Sequence, residues 1–362
     1  MKIGIILGTR PEIVKLSSII RRCESRSADC FVIHTNQHYS ENMDAVFFRE
    51  LELPEPKYNL RIGSGTHGEM TGRMLIEIER ILLDEKPDLI IVQGDTNTVM
   101  AGALAASKIG IKVAHVEAGL RSYDRSMPEE VNRLITDHVS DFLFCPTEKQ
   151  VEILLKEGIA KKNIFATGNT VVDAVYECSD IAEQHSEILT RLGIFAGEYI
   201  LMTLHRPATV DVKKNLSAVL KGVEAVARQH EKAVVFPIHP RTRKMIETFG
   251  IRVAKRVKLI DPVGYLDMLS LQANSFLIVT DSGGIQEEAC ILRKKCIVAR
   301  ENTERPEAVD VGGCVLAGNS DSDKIEALSE ELLSKKIAWK NPFGDGKTGD
   351  RILRLLERSY DD

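Results

Sequence analysis

No apolar run in the sequence approaches the ~18 residues that a membrane-spanning helix needs, which excludes a transmembrane protein. Aromatic residues are scarce, at 5 % of 362 residues, and neither sign of charge dominates, since 48 Lys and Arg stand against 53 Asp and Glu. The formal charge of −5 argues against bulk electrostatic capture of nucleic acid. The apolar residues 3–7 are too few for the hydrophobic region of a secretory signal, and no small-residue cleavage site follows them.

Motifs that mark several common enzyme classes are also absent. One glycine, Gly8, follows the first strand, in place of the G-x-G-x-x-G of NAD- and FAD-binding folds. The sequence has no G-x-S-x-G motif, no phosphate-loop lysine motif, and no Tyr followed four residues later by Lys. These absences argue against serine hydrolases, P-loop proteins and nicotinamide-dependent sugar epimerases. His34 and His38 have the spacing of a helical metal pair but stand at a strand end, so we expect no metal site.

The seven cysteines form an odd, scattered set without a C-x-x-C pair, and several lie inside apolar runs. Such a set does not suit a disulfide framework. We therefore expect reduced structural thiols in a cytoplasmic protein.

Short apolar runs rich in Ile, Val and Phe predict strands that are buried on both faces of parallel sheets. They span residues 3–7, 31–34, 89–92, 113–116, 142–145, 199–204, 234–238, 276–280 and 296–299. Segments of helical period lie between or after them, at residues 69–83, 98–109, 211–229, 323–333 and 351–360. This alternation predicts an α/β protein of two doubly wound domains. It pauses at Gly168, where we place the boundary between domains 1–168 and 169–348.

Ionisable residues cluster directly after the predicted strands, three clusters in each half of the chain. They occupy residues 8–12, 94–96, 115–119, 205–206, 239–241 and 281–284. Ligands of open α/β sheets bind beyond the carboxyl ends of the strands. We therefore expect the six loops to converge on a cleft shared by the two domains.

Several of these residues also have a purely structural interpretation. Glu12 fits a capping box with the residue three positions before it, and Glu129 fits a second box that starts at residue 126. Asp95 is well placed to cap the following helix, and Lys15 fits a solvated helix surface. Glu117 follows an apolar strand and precedes Ala-Gly, where we identify no structural task for a carboxylate.

The segment from Ser282 to Gly284 predicts an anion site at the start of a helix. Two glycines let the backbone approach a phosphate, and the helix dipole favours negative charge there. Glu287 and Glu288 fit either the electrostatics of a first helical turn or hydrogen bonds to ribose hydroxyls.

From its first strand to its last helix the sequence resembles the non-hydrolysing UDP-N-acetylglucosamine 2-epimerases. The resemblance rests on residues 8–12 (GTRPE), 94–96 (GDT), 115–121 (HVEAGLR), 128–133 (PEEVNR), 280–289 (TDSGGIQEEA), 303–307 (TERPE) and 341–346 (NPFGDG). It implies a GT-B fold, with two Rossmann-like domains that face a central cleft. The C-terminal domain would bind UDP, and the last helix, 349–362, would pack back on the N-terminal domain.

The resemblance also implies a homodimeric isomerase that needs neither a metal nor a redox cofactor. It would interconvert UDP-GlcNAc and UDP-ManNAc for surface-polysaccharide synthesis. The C2 hydrogen is not next to a carbonyl, so the family expels UDP first, giving 2-acetamidoglucal, and adds UDP back with inversion at C2. Both faces of C2 must be served, so one base is not enough.

By resemblance, the residues at the reacting sugar are Asp95, Glu117, Glu129, Lys15 and His205. Arg10 and His205 would lie nearest the diphosphate, and Ser282, Gly283 and Gly284 would hold phosphate. The remaining implied contacts are Glu288 at the ribose hydroxyls, backbone groups of the loop around Met268 at the uracil, and Arg305 near the nucleotide.

Two positions depart from the family pattern. Many members have Glu-Asn where Ala208 and Thr209 follow Pro207 here, so the contacts of that pair on domain closure are lost. Members activated by UDP-GlcNAc at a second site carry Gln-His-Arg where this sequence has residues 37–40 (QHYS). The resemblance therefore does not carry that allosteric site over to this chain.

Three other functions stay open. Many retaining UDP-sugar glycosyltransferases of this fold carry two Glu eight positions apart, whereas Lys295 follows Glu287 at that distance and Cys296 follows Glu288. Hydrolysis would replace the return of UDP by addition of water and release ManNAc. A nucleotide-sugar sensor would not need three carboxylates beside the diphosphate, and replacement of Glu117 would leave its function intact.

Overall fold

The computed structural model describes residues 1–37 and 47–361, so His38, Tyr39 and Ser40 lie outside the described residues. The chain divides into two compact units. The N-terminal unit comprises Met1–Glu177 and Phe343–Asp362, and the C-terminal unit comprises Cys178–Pro342. The division after Glu177 falls inside one helix, Thr170–His185, whereas the predicted boundary at Gly168 lies just before that helix.

The N-terminal unit is built on a parallel sheet. The strands of its described residues are β1 (Lys2–Leu7), β2 (Asp29–His34), β3 (Tyr58–Asn59), β4 (Leu89–Gln93), β5 (Lys112–Val116), β6 (Phe142–Cys145) and β7 (Ile164–Ala166). Their order in the sheet is β3-β2-β1-β4-β5-β6-β7, and every paired strand is parallel. The chain therefore changes direction across the sheet between β1 and β4, which is the switch point of a doubly wound fold.

Helices cover both faces of this sheet. They are α1 (Arg10–Ser25), α2 (His67–Glu85), α3 (Asn97–Lys108), α4 (Pro128–Val139), α5 (Glu148–Lys156) and α6 (Thr170–His185), with a 3₁₀ turn at Lys161–Asn163 and helical residues at 47–50. The core packs Ile6, Ile90 and Val92 of the sheet against Met74 and Ile78 of α2.

The C-terminal unit repeats the same plan. Its strands are β8 (Tyr199–Thr203), β9 (Ala233–Pro237), β10 (Val257–Ile260), β11 (Leu277–Thr280), β12 (Cys296–Val298) and β13 (Cys314–Leu316), in the order β10-β9-β8-β11-β12-β13. Its helices are α7 (Ile188–Leu192), α8 (Pro207–Val210), α9 (Lys213–Gln229), α10 (Pro240–Phe249), α11 (Tyr265–Ala273), α12 (Gly283–Ile291), α13 (Pro306–Asp310) and α14 (Ser322–Ser334). The switch point lies between β8 and β11. Two doubly wound, Rossmann-like units confirm the predicted fold class.

The predicted strands coincide with nine observed ones, and the four strands that the sequence pattern missed are β3, β7, β10 and β13. Each of the four lies at an edge of its sheet. All four have half-buried or exposed positions, and β3 and β10 include the polar residues Asn59 and Lys258, so they carry a weaker signal than the buried central strands.

The last helix, α15 (Thr348–Asp361), belongs to the N-terminal unit and contacts α1. The buried Asp173 carboxylate accepts the amides of Thr348 and Gly349 at 3.1 and 2.9 Å, which caps the helix from α6. Arg26 of α1 pairs with Asp350 at 2.8 Å. The chain returns to the N-terminal unit at Phe343, six residues before the predicted residue 349.

Within residues 1–37 and 47–361, no helix is long and apolar enough to cross a membrane. All seven cysteines are free thiols, and six of them are buried.

Candidate active site

In the N-terminal unit, three loops follow neighbouring strands at the carboxyl edge of the sheet. Arg10 follows β1, Asp95 follows β4 and Glu117 follows β5, and these strands are adjacent in the order β1-β4-β5. The half-buried Arg10 guanidinium lies 5.7 Å from the centroid of the Phe47 ring. The predicted edge therefore carries three of the predicted residues.

Glu117 is buried and adopts a left-handed backbone conformation, with φ +70°. Its amide and that of Ala118 both donate to the Phe144 carbonyl, at 3.0 and 3.1 Å. Lys15 Nζ donates to both Glu117 carboxylate oxygens, at 2.8 and 2.6 Å, and the Gln93 amide donates to one of them. A non-glycine residue in this region costs conformational energy, and such strain concentrates at functional sites.

Asp95 is not the cap of α3. That position belongs to Thr96, whose hydroxyl accepts the Val99 amide at 3.4 Å, so the capping interpretation of Asp95 is wrong. The Asp95 carboxylate instead pairs with Arg133. Burial raises the pKa of Asp95, the Glu117 carboxylate raises it further, and the Arg133 guanidinium opposes both. The site thus holds a carboxyl group whose proton affinity exceeds that of a solvated Asp.

The second capping box is also absent. The cap of α4 is Met127, and the Ser126 hydroxyl donates to Asp124 at 2.6 Å instead. Glu129 is exposed and makes no hydrogen bond or ion pair with a described residue. Glu129 is thus free of the structural task that sequence reasoning allowed.

Glu130, the next residue, organises the loop before α4. Its buried carboxylate accepts the amides of Ser122 and Tyr123, both at 2.9 Å. It also pairs with Arg133 at 2.6 Å. Because Arg133 holds Asp95 as well, Glu130 positions that guanidinium.

Beneath these loops lies a buried charge network that the sequence analysis did not predict. The Asp137 carboxylate faces His115 Nδ1 and Arg121 Nη1, each at 2.7 Å, and accepts the Gly119 amide at 3.2 Å. His115 Nε2 lies 2.8 Å from the Gly94 carbonyl. The network therefore joins the loop that carries Asp95 and the loop that carries Glu117 to α4.

Glu12 forms the predicted capping box and does more. Its buried carboxylate accepts the amides of Gly8 and Thr9, at 2.6 and 3.3 Å, and the Thr96 hydroxyl at 2.6 Å. Burial raises the pKa of Glu12 to about 7, against the effect of these hydrogen bonds. Glu12 thus joins the loop that carries Arg10 to the loop that carries Asp95.

His34 is a buried core histidine. Its Nδ1 accepts the Asn36 amide at 3.1 Å, and burial lowers its pKa to about 4. Across residues 1–37 and 47–361, the structure contains no group of three or more His, Cys, Asp or Glu side chains placed to hold a metal ion.

In the C-terminal unit, the switch point carries His205 after β8 and Asp281 after β11. Asp281 is fully buried and accepts the amides of His205 and Arg206 at 3.0 and 2.9 Å. His205 Nδ1 lies 3.1 Å from the same carboxylate. The His205 ring is 43 % exposed and lies 6.1 Å from the His239 ring, centroid to centroid.

Ser282 caps α12, and its hydroxyl accepts the Ile285 amide at 3.5 Å. A Cβ built on Gly283 or Gly284 would meet no protein atom closer than 3.9 Å. The fold itself leaves room for a side chain at both positions, so packing does not explain the glycines. Their absence of a side chain leaves the helix N-terminus open to a ligand.

An arginine cluster lies beside this helix end. Arg206 Nη2 is 3.9 Å from the Cβ position of Gly283, and Arg300 pairs with Glu304 through two bonds of 2.8 Å. Glu304 also lies 3.7 Å from Arg206. Burial and the nearby Arg300 lower the pKa of Arg206. The cations are concentrated where an anion would approach the amides of α12.

The two acidic residues of α12 have different partners. Glu287 pairs with Arg305 Nε at 2.9 Å, and the buried Glu288 accepts the Gln272 amide at 2.6 Å. Arg305 thus stands beside α12. Neither arrangement by itself decides between the two interpretations of these glutamates.

Met268 was expected in a loop, but it lies inside the helix α11. Its amide donates to the Gly264 carbonyl at 3.0 Å, so this N–H is already used by the helix. The cap of α11 is Gly264, which has no side chain to accept the first amides of the helix. The amides of this N-terminal turn are therefore the ones that a ligand can use.

Ala208 and Thr209, the departure from the family pattern, form the short helix α8. Thr209 is buried, and the Ala208 carbonyl accepts the Asn215 side-chain amide at 2.9 Å. The position is therefore a packed turn in this chain.

Sequence reasoning did not single out Gln93, Arg133, Asp137, Asp281 or Arg300 as site residues. Arg133 and Asp281 stand inside motifs that the sequence analysis used, and Gln93 is a polar residue that ends an apolar strand. These three carried a local signal. Asp137 and Arg300 stand outside the quoted motifs, although their partners His115, Arg121 and Glu304 lie inside them.

Comparisons with known proteins identify the family of this chain. The family profile described as UDP-N-acetylglucosamine 2-epimerase matches residues 21–357. The UDP-N-acetylglucosamine 2-epimerase of Methanocaldococcus jannaschii is 56 % identical over 362 residues, covering 98 % of this chain and 99 % of that one. The crystal structure of that organism's enzyme in complex with UDP-GlcNAc and UDP has a TM-score of 0.87, covering 99 % of this chain and 100 % of that one.

One relative is named for a different substrate: it is the UDP-2,3-diacetamido-2,3-dideoxy-D-glucuronate 2-epimerase of Pseudomonas aeruginosa. It is 41 % identical, covering 99 % of this chain and 100 % of its own length. The shared part of these names is C2 epimerisation of a UDP-linked acetamido sugar. The chain belongs to the UDP-N-acetylglucosamine 2-epimerase family of isomerases.

Proposed function

We propose that the protein interconverts UDP-GlcNAc and UDP-ManNAc. The observation that carries this proposal is Glu117, a buried carboxylate in a strained conformation that is paired with Lys15 and has no capping task. Asp95, whose pKa is raised, follows the neighbouring strand. Two carboxylates in different electrostatic surroundings suit proton removal and return at one carbon.

In the proposed reaction, the bond from C1 to the phosphate oxygen breaks, and its electron pair leaves with UDP. A carboxylate takes the C2 proton, and the C–H electrons form the C1–C2 double bond of 2-acetamidoglucal. A second carboxylic acid then protonates the opposite face of C2, and a UDP oxygen bonds again to C1. Asp95, Glu117 and Glu129 share these roles, and Lys15 holds the charge of Glu117 in place.

The C-terminal unit is proposed to hold UDP. The amides at Gly283 and Gly284 suit the phosphates together with the side chain of Ser282, whose own amide donates to the Thr280 hydroxyl at 2.9 Å. Arg10 and His205 would stabilise the departing diphosphate. Glu288 would bind the ribose hydroxyls and Arg305 the nucleotide. The N-terminal turn of α11, which leads to Met268, would receive the uracil. The chemistry transfers no hydride, so it requires no redox cofactor.

The direct test is proton NMR of the purified protein with UDP-GlcNAc in D₂O. Appearance of UDP-ManNAc with deuterium at C2 is the expected result. Accumulation of UDP with free ManNAc would instead assign the hydrolytic reaction. No change, even with UDP-GlcNAc in excess as activator, would contradict the proposal and favour glycosyl transfer or a sensor.

A second candidate substrate follows from the Pseudomonas aeruginosa relative. The sugar in that relative's name carries a second acetamido group at C3 and a carboxylate at C6, and its C2 position is the same, so the same C2 chemistry applies to that sugar. Parallel assays with both UDP sugars, compared by kcat/KM, would decide between them. We expect the larger value with UDP-GlcNAc, because 56 % identity to the archaeal enzyme exceeds 41 % to the other relative.

We further infer a cytoplasmic homodimer that supplies surface-polysaccharide synthesis. Free thiols at all seven cysteines suit a reducing compartment. Light scattering at several protein concentrations would test the dimer.

A further inference from the structure

The carboxylate of Asp281 is fully buried, and the reaction steps above do not use it. It faces three donors of the segment after β8. Its Oδ1 lies 3.0 Å from the His205 amide and 3.1 Å from His205 Nδ1, and its Oδ2 lies 2.9 Å from the Arg206 amide. One carboxylate thus fixes the backbone at His205 by hydrogen bonds and lies beside a ring nitrogen of the same residue.

The sheet holds this pair in register. β8 and β11 are adjacent, with Thr203 opposite Thr280. The hydroxyls of these two threonines lie 2.5 Å apart, and the Asp281 amide donates to the Thr203 carbonyl at 3.2 Å. Asp281 is therefore placed by two central strands rather than by a loop, and its position relative to His205 is well defined.

We propose that Asp281 is a positioning residue that sets the tautomer and direction of the His205 ring. A carboxylate oxygen 3.1 Å from Nδ1 repels a lone pair on that nitrogen, so the contact favours the tautomer that carries the proton on Nδ1. Nε2 then points away from Asp281, and no described residue hydrogen-bonds to it. The proposal rests on the proposed function, in which His205 acts at the diphosphate of the substrate.

This arrangement has a chemical consequence. When Nε2 also carries a proton, the ring becomes a cation beside the departing diphosphate, and the buried carboxylate offsets its charge. When Nε2 has lost that proton, the Nδ1–H form keeps the Nε2 lone pair directed outward. In both states Asp281 prevents the ring from turning its two nitrogens around.

The variant Asp281→Asn tests the proposal. The single carbonyl oxygen of Asn would be taken by the two backbone amides, which leaves its NH₂ group facing Nδ1. The neutral ring would then move its proton to Nε2. We expect kcat to fall on the order of 10²–10³-fold, with KM changed by less than about tenfold.

The tautomer is read from ¹⁵N shifts of selectively labelled histidine, recorded upward in pH until the His205 ring is neutral. His205→Asn, which lacks the signal, assigns it. The expected result is Nδ1–H in the unsubstituted protein and Nε2–H in Asp281→Asn. The matched control Thr203→Val removes the neighbouring hydroxyl pair and should keep both the tautomer and kcat.

Three outcomes would overturn the proposal. They are an Nε2–H ring in the unsubstituted protein, an Asp281→Asn variant that loses activity but keeps the Nδ1–H ring, and a variant with unchanged kcat. The first needs no variant, so the test stands even if Asp281→Asn does not fold. The tautomer is measured without turnover, so a protein that fails to epimerise UDP-GlcNAc refutes the proposed function separately.

Discussion

In the N-terminal unit the side chains at the switch point are held by paired polar groups: Glu117 pairs with Lys15, Asp95 with Arg133, and Asp137 lies between His115 and Arg121. In the C-terminal unit the corresponding edge has one buried carboxylate, Asp281, and presents backbone amides, two glycines and the partly exposed Arg206. Both units have the same strand order around β1 and β8. The difference therefore lies in the loops and not in the topology.

The difference has a physical meaning for the proposed reaction. Proton transfer at carbon needs carboxyl groups held at fixed positions with altered proton affinity, and buried partners supply both. Binding of a diphosphate needs donors and positive charge that a ligand can reach, which favours open amides and exposed guanidinium groups. Four predictions, made with five substitutions, test whether this division between the units holds.

The largest expected effect is that of Glu117→Gln. The change keeps the size of the side chain but removes its charge, so kcat should fall on the order of 10²–10⁴-fold. Affinity for UDP alone should stay nearly unchanged, because the proposed UDP residues lie mainly in the C-terminal unit. Steady-state NMR assays and calorimetric titration with UDP measure the two quantities. Normal turnover of Glu117→Gln would remove this residue from the acid–base set.

The next effect concerns stability. Asp137→Asn leaves His115 and Arg121 buried without their shared carboxylate, and breaking such a pair costs about 3–5 kcal/mol of unfolding free energy. Glu304→Gln breaks a pair in the C-terminal unit whose Glu side chain is 38 % exposed, so its cost should be smaller than that of Asp137→Asn. Urea unfolding of both variants measures the contrast. Equal costs would contradict the comparison.

A smaller effect depends on pH. The pKa of Glu12 is raised from 4.5 to about 7 in the folded protein, so the folded state binds the proton more tightly than the unfolded state does. The free energy of unfolding should therefore fall as pH rises from about 4.5 to 7, by at most about 3 kcal/mol from this group. Glu12→Gln should flatten that part of the profile. An unchanged slope would show that Glu12 titrates normally.

The smallest effect is expected at Gly284. A Cβ there meets only Ser282 Oγ, at 3.9 Å, so Gly284→Ala should leave stability unchanged or raise it by about 0.5–1 kcal/mol. A phosphate close to the backbone would clash with the added methyl group. We expect roughly tenfold weaker UDP binding, which corresponds to about 1.4 kcal/mol. Unaltered affinity would place the phosphates elsewhere.

The central strands and the longer helices could be predicted from the sequence, because burial on both faces leaves continuous apolar runs and amphipathic helices leave a 3.6-residue period. The edge strands β3, β7, β10 and β13 could not, since half-covered strands carry little apolar signal. The division between the units also escaped prediction. The break in the sequence pattern lies at Gly168, whereas α6 continues through the boundary.

The candidate site divides in the same way. Local motifs singled out Glu117, Asp95 and the segment after β11, but they left the capping alternatives open. Thr96 as the cap of α3 and Met127 as the cap of α4 resolved two of them, and that result depended on backbone geometry. The family resemblance likewise implied a loop around Met268, where the structure has a helix.

The sequence by itself determined the α/β class, two Rossmann-like halves and the edge of each sheet at which polar side chains gather. These follow from the order of apolar runs and from the residues that end them, which are local properties of the chain. Only the tertiary structure decided which charges meet, as between Lys15 and Glu117 or Asp137 and Arg121, and which carboxylate faces His205. Partners separated by up to 102 positions are brought together by strand pairing, and no local pattern encodes that distance.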